Sequence, residues 1–213
     1  MAIEGIGLIF MDRNTTMEKR DTQSRRNYIL EKTLKLFKEK GYYGISVGDI
    51  AKACDMARGS LYTHFESKQE LVNELYVLWK ERLFNYVRRD LAGLEGRELH
   101  QQVWTNLFAF AQDHTDALVF LEAQHHAPYL SESSFAKAEE LNKISEELYM
   151  TMLGGEPEEK QELETLLSVS YGGYTQIAKM ANLGKLNLND STFQMVEAAM
   201  WQIIESYQNK IQL

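Results

Sequence analysis

Apolar positions recur at three- and four-residue spacing along almost the whole chain, and strand-like alternation is absent. Ile29, Thr33, Leu36 and Phe37 share one face of a helix predicted from about Ser24 to Lys40, with Gly41 as its stop. Before it, residues 1–21 show no periodic apolar face and read as a flexible arm, within which Met11 and Met17 offer alternative starts. Two short helices follow, at about 47–53 and 58–65. Ser46 is a suitable N-cap for the first, because its hydroxyl can accept from amides of the opening turn. Ser67-Lys68-Gln69-Glu70 forms a capping-box pattern. It opens a longer helix that turns Leu71, Leu75, Leu78 and Tyr86 inward and ends near Gly93. Further helices are predicted at about 97–113, 116–125, 134–153, 157–183 and 191–209. Pro157 fits a first turn, and Gly154, Gly155 and Gly184 fit helix stops. The pattern is that of an all-α chain of about nine helices.

Composition narrows the classes. The chain has 213 residues, 44 % hydrophobic and 25 % charged, with only two prolines. That is ordinary globular usage, which excludes collagen-like and Pro-rich disordered readings. One cysteine, Cys54, excludes a disulfide framework and any multi-cysteine metal site. The apolar start carries Glu4 and lacks a basic leader region, so no signal peptide is expected. No apolar run reaches membrane-spanning length, and a soluble, cytoplasmic protein is expected. The net charge of −8 is unevenly distributed. Residues 13–68 hold twelve Lys/Arg against seven Asp/Glu, whereas residues 69–213 hold eleven against twenty-two. A basic N-terminal quarter on an acidic remainder suits a module that meets a polyanion; solvated acidic helices would give the same contrast.

Residues 45–65 carry the most information. Two short helices joined by the turn Cys54-Asp55-Met56 have the spacing of a helix-turn-helix. Val47, Ile50 and Ala51 point inward from the first helix, and Leu61 and Phe65 from the second. Asp55 tolerates the left-handed geometry that such a turn requires. The outward face of the second helix carries Arg58, Gly59, Ser60, Tyr62, Thr63 and His64. Mere solubility would favour Glu and Lys there. Gly59 inside a helix costs about 1 kcal/mol relative to Ala, which is understandable where a backbone must approach something closely.

These residues, together with Ile29, Thr33, Leu36-Phe37, Gly41-Tyr42, Ser46-Val47, Asp49-Ile50-Ala51 and Ser67-Lys68, resemble the N-terminal domain of TetR/AcrR-type transcriptional regulators over about residues 24–78. Two positions depart from the family pattern: Asp55 stands where Gly is usual, and Ala57 where a capping Ser is usual. The resemblance implies that Arg58, Ser60 and Thr63 face base edges in the major groove, Arg58 being suited to guanine. Gly59 would let the helix lie close, while Ser46, Tyr62, His64 and Lys68 would hold phosphates. Arg25 and Arg26 would reach the DNA backbone or minor groove, or remain solvated. After the arm expected over 1–21, it further implies a DNA-binding domain over 22–67 and a helical domain for effector binding and dimerisation over 68–213.

In that larger domain the apolar stripes of the last two helices are broad enough for a second copy, and Gly172-Gly173 permits close helix approach or a kink. Trp104, Phe108, Phe120, Tyr149, Met150, Tyr171 and Tyr174 are candidates for a pocket taking a small apolar or amphipathic effector; the same spacing also suits ordinary core. The expected protein is a ligand-released repressor that binds a pseudo-palindromic operator as a homodimer, without cofactor or metal. The alternative is a ferritin-like enzyme, suggested by Glu122-x-x-His125. It needs a second such motif, which the chain lacks. His125-His126 also suits a helix C-terminus, where an imidazolium complements the dipole.

Overall fold

The computed structural model describes residues 4–124, 127–155 and 160–211, with side chains from residue 22 to residue 209 within those spans. Among the described residues there are nine α-helices and no strand: α1 (Glu4–Gly44), α2 (Val47–Ala53), α3 (Arg58–Leu61), α4 (Lys68–Val87), α5 (Gly96–Asp113), α6 (Thr115–Gln124), α7 (Glu132–Leu153), α8 (Lys160–Asn182) and α9 (Asp190–Ile211). Pro157, His125 and His126 lie outside the described residues. The chain divides into two compact units, Met1–Leu75 and Tyr76–Leu213. The division falls inside α4, beyond the 67/68 boundary that the sequence suggests.

The first unit closes around Ile29, Leu30, Leu34 and Phe37 of α1, Ile50 and Ala51 of α2, Leu61, Phe65, and Leu71 of α4, all buried. Helix α1 begins at Glu4, where an arm is expected through residue 21. Neither Gly nor Pro interrupts residues 8–40, so nothing local stops the helix earlier. Its path breaks at Gly41, whose φ of 62° and ψ of 177° leave the helical region. Helix α2 opens on a reciprocal capping box: the Asp49 amide donates to the Ser46 hydroxyl, and the Ser46 amide donates to the Asp49 carboxylate. Helix α3 is shorter than the eight residues expected. The Leu61 carbonyl accepts from both the His64 and Phe65 amides, so the chain turns tightly and seats Phe65 in the core.

In the second unit α6 packs on α8, and α5 on α7 and α9. Helix α4 stops at Val87, short of the expected Gly93. The Asn106 amide on α5 donates to the carbonyls of Val87 and Arg89, at 3.0 and 2.7 Å, and so satisfies acceptors that the ending helix exposes. Helix α7 ends on Gly154 at φ 81°, a left-handed cap. Gly173 lies against α9: a Cβ there would stand 3.2 Å from the Met200 methyl. Of the two readings of Gly172-Gly173, close approach is the one realised, at Gly173.

Candidate nucleic-acid interface

The capping box fixes where α2 begins and so aims the turn that follows. Asp55 in that turn has φ 53°, the left-handed geometry expected of it. Ala57 precedes α3 in an extended conformation and supplies no side-chain cap. Arg58 is therefore the first residue of the short helix α3. Arg58, Gly59, Ser60, Tyr62 and Thr63 are exposed, and His64 is half-buried. A shallow opening between α2 and α3 is bordered by Gly48, Lys52, Met56 and Arg58. A Cβ added at Gly59 would meet nothing within 4 Å, so nothing in this chain demands glycine there.

Two basic residues serve the fold in ways the sequence does not disclose. The Arg26 guanidinium lies 4.3 Å from the Phe65 ring centre, donates to the His64 carbonyl and pairs with Glu74. Glu70 stands 3.5 Å away. Arg26 thus ties α1 to the end of the reading turn and to α4, and is neither solvated nor reaching outward. The Lys68 ammonium donates to the carbonyls of Tyr42 and Ile45, each at 2.9 Å, over the Tyr42 ring. Two of its three ammonium protons are thus engaged. Ser46 is similarly engaged, its hydroxyl donating to the Asp49 carboxylate at 2.6 Å. Hydrogen bonds from the Ser46 hydroxyl and amide lower the Asp49 pKa to about 2. Tyr43, 82 % exposed and edge-on to the Tyr42 ring at 5.2 Å, was not singled out by pattern.

The seven aromatic and methionine candidates of the larger unit lie on α5 to α8. Trp104, Tyr174 and Tyr171 are joined, with ring centres 6.2 and 6.3 Å apart in turn. Phe108 packs instead on Phe193 of α9 at 5.2 Å. The Tyr149 hydroxyl bonds that of Ser170. Phe120 is buried on α6, and Met150 is half-buried on α7. Pattern reading passed over Lys80, which is 5 % exposed, and the buried set of His100 and Glu197 with Arg97. A lysine on a helix reads as solvent-facing unless the helix is covered on every side.

An all-helical chain with an exposed, Arg-bearing reading face on a helix-turn-helix belongs to the class of DNA-binding transcriptional regulators. Comparison with known proteins gives the family. Residues 29–75 match "Bacterial regulatory proteins, tetR family", and residues 80–206 match "Tetracyclin repressor-like, C-terminal domain". The chain belongs to the tetR family. It is 33 % identical over 131 residues to the HTH-type transcriptional repressor KstR2 of Rhodococcus jostii, a match covering 61 % of this chain and 63 % of that relative. It is 40 % identical over 60 residues to the regulator AcrR of Shigella flexneri, covering 28 % of each. Among solved structures, a TetR family regulator from Marinobacter aquaeolei shares the fold with a TM-score of 0.72 at 19 % identity, covering 87 % of this chain and 97 % of that one. KstR2 of Mycobacterium tuberculosis does so with 0.63 at 21 %, covering 87 % and 94 %. This family is one of regulators and not an enzyme class, and none of these matches supports the ferritin-like alternative. No helix among the described residues is long and apolar enough to cross a membrane.

Proposed function

We propose that this chain is a cytoplasmic repressor that binds a pseudo-palindromic operator as a homodimer and is released by a small molecule. The observation that carries the reading is the exposed face from Arg58 to Thr63, where an open Gly59 lies between residues able to bond base edges. Arg58 reads a base, Ser60 and Thr63 lie beside it, and Tyr62, His64 and the remaining proton of Lys68 hold phosphates. The Thr63 hydroxyl already donates to the Ser60 carbonyl at 2.8 Å, so toward a base it would act as an acceptor.

Dimerisation is supported by α8 and α9. Val169, Gly172, Met195, Ala198 and Ala199 are exposed, and no charged residue occurs between Thr165 and Ala178. An exposed uncharged stripe on an otherwise acidic unit suits a second copy, whose two-fold symmetry the operator mirrors. Repression is the role named for the KstR2 relative. Because α4 belongs to both units, a ligand that displaced it would alter the spacing of the two reading helices. Such a ligand acts only through its differential affinity for the non-binding conformation.

The test is selection of bound sites from random duplex DNA by the full-length protein. An inverted repeat is expected. Arg58→Ala should weaken binding by about 1–3 kcal/mol and relax one base position in each half-site. A consensus without inverted symmetry, or an Arg58→Ala variant with unchanged preference, would refute the assignment.

A further inference from the structure

The turn between α2 and α3 closes on backbone hydrogen bonds. The Cys54 amide donates to the Ile50 carbonyl at 3.0 Å, the Asp55 amide to that of Lys52 at 3.2 Å, and the Met56 amide to that of Ala51 at 3.0 Å. The Asp55 carboxylate takes no part: among the described residues no hydrogen bond or ion pair engages it, and the same holds for the Lys52 ammonium and the Arg58 guanidinium. An aspartate is at ease in left-handed geometry when its side chain bonds locally, and glycine adopts it without strain. At φ 53° Asp55 therefore holds a strained backbone without the local bond that would offset it.

Asp55 is also exposed, and it borders the opening between α2 and α3 together with Gly48, Lys52 and Arg58. The rest of that border is small: Ala51 and Ala57 carry one methyl each, and a Cβ added at Gly48 would meet only the Ser46 hydroxyl oxygen, at 3.5 Å. A carboxylate on a face that meets phosphates is repelled by them. Strain and repulsion both become intelligible where the carboxylate has a donor to accept from.

The major groove offers two base-edge donors, the amino groups of cytosine and adenine. Adenine sets the acceptor N7 beside its amino group, which opposes a carboxylate and suits an amide. Cytosine sets a C–H there instead, and the acceptors lie on the paired guanine, where the two cations of the same opening can donate. We propose that Asp55 is a specificity-determining residue that accepts from the amino group of a cytosine within one base pair of the guanine read by Arg58, with Lys52 and Arg58 offsetting its repulsion of the backbone. This deepens the DNA-reading role proposed above and rests on it.

The test is anisotropy titration of full-length protein against the selected operator and against every single-base-pair replacement in its half-site. Replacing that cytosine should weaken the unsubstituted protein about ten-fold. Asp55→Asn keeps a residue suited to the left-handed turn and exchanges the carboxylate for an amide. It should lose the cytosine preference and favour adenine, with an unchanged melting temperature. Asp55→Gly should bind all four base pairs there alike and hold mixed-sequence DNA more tightly, because the repelling charge is gone. A consensus without cytosine within one base pair of the position relaxed by Arg58→Ala would overturn the assignment. So would Asp55 variants that keep the original preference, or that change affinity for every sequence by one common factor. Arg58→Ala separates the two readings. If it relaxes a position and Asp55→Asn does not, the Asp55 assignment alone falls; if neither alters preference, both fall.

Discussion

Asp55 holds φ at 53° in the turn between α2 and α3, a conformation that costs an L residue about 1–2 kcal/mol. Asp55→Gly should stabilise the first unit by about 0.5–1 kcal/mol, the relief being partly offset by the freedom glycine adds to the unfolded chain. The urea midpoint should rise without change in slope; a fall would show that the Asp55 side chain holds the turn. Gly59 makes the opposite case. With no atom within 4 Å of an added Cβ, Gly59→Ala should stabilise the free protein by up to about 1 kcal/mol and weaken DNA binding. Melting and operator titration read the two effects separately, and undiminished DNA binding would show that this backbone does not approach the duplex. Both positions were legible in the sequence, because a turn residue and a glycine within a helix are local features. Arg26 was not. Its partner Glu74 lies 48 residues away, and no local pattern distinguishes an arginine that clamps from one that is solvated.

Helix existence was legible from about residue 24 onward, since spacing of apolar residues reports which face is covered; over residues 4–21, which lack such a face and were expected as an arm, it was not. Helix ends were less so where their determinants are remote. The Gly154 stop is written in the chain next to the helix it ends, but the carbonyl of Val87 at the end of α4 is satisfied by Asn106 on the next helix, 19 residues away. Likewise α3 is cut to four residues by the demand that Phe65 be buried. The junction of α1 and α4 carries its own expectation. Lys68→Met removes the donor to two carbonyls left by the break in α1, and should destabilise the protein by about 1–2 kcal/mol. It should also lower the salt slope of DNA binding by about one unit, if its third proton meets a phosphate. An unchanged melting temperature would show that water serves those carbonyls equally well.

For the molecule as a whole, the division into a basic N-terminal quarter and an acidic remainder was visible in composition, and it matches the placement of the reading face. The buried polar sets of the larger unit were not visible, since Arg97 and Glu197 meet across 100 residues of sequence. His100 is fully buried there, its Nδ1 2.9 Å from a Glu197 oxygen and its Nε2 without a hydrogen-bond partner among the described residues. Burial lowers its pKa, outweighing the opposing pull of Glu197. The unfolded chain, protonating near 6.5, therefore binds this proton more readily than the folded one. The His100 contribution to stability is full above that value and declines as pH falls through it. The melting temperature should drop between pH 7 and pH 5.5, and His100→Gln should flatten that slope. An equal slope in the variant would assign the acid sensitivity to other groups.

The clamp around Arg26 has a kinetic corollary. A helix of four residues has no stability of its own, yet here its closing turn is anchored to two longer helices by one guanidinium. The entropy of ordering the reading segment is therefore lost when the chain folds and not when it meets a duplex. Encounter with DNA then needs no folding step, so its speed is governed by diffusion, orientation and the attraction between the basic surface and the phosphates.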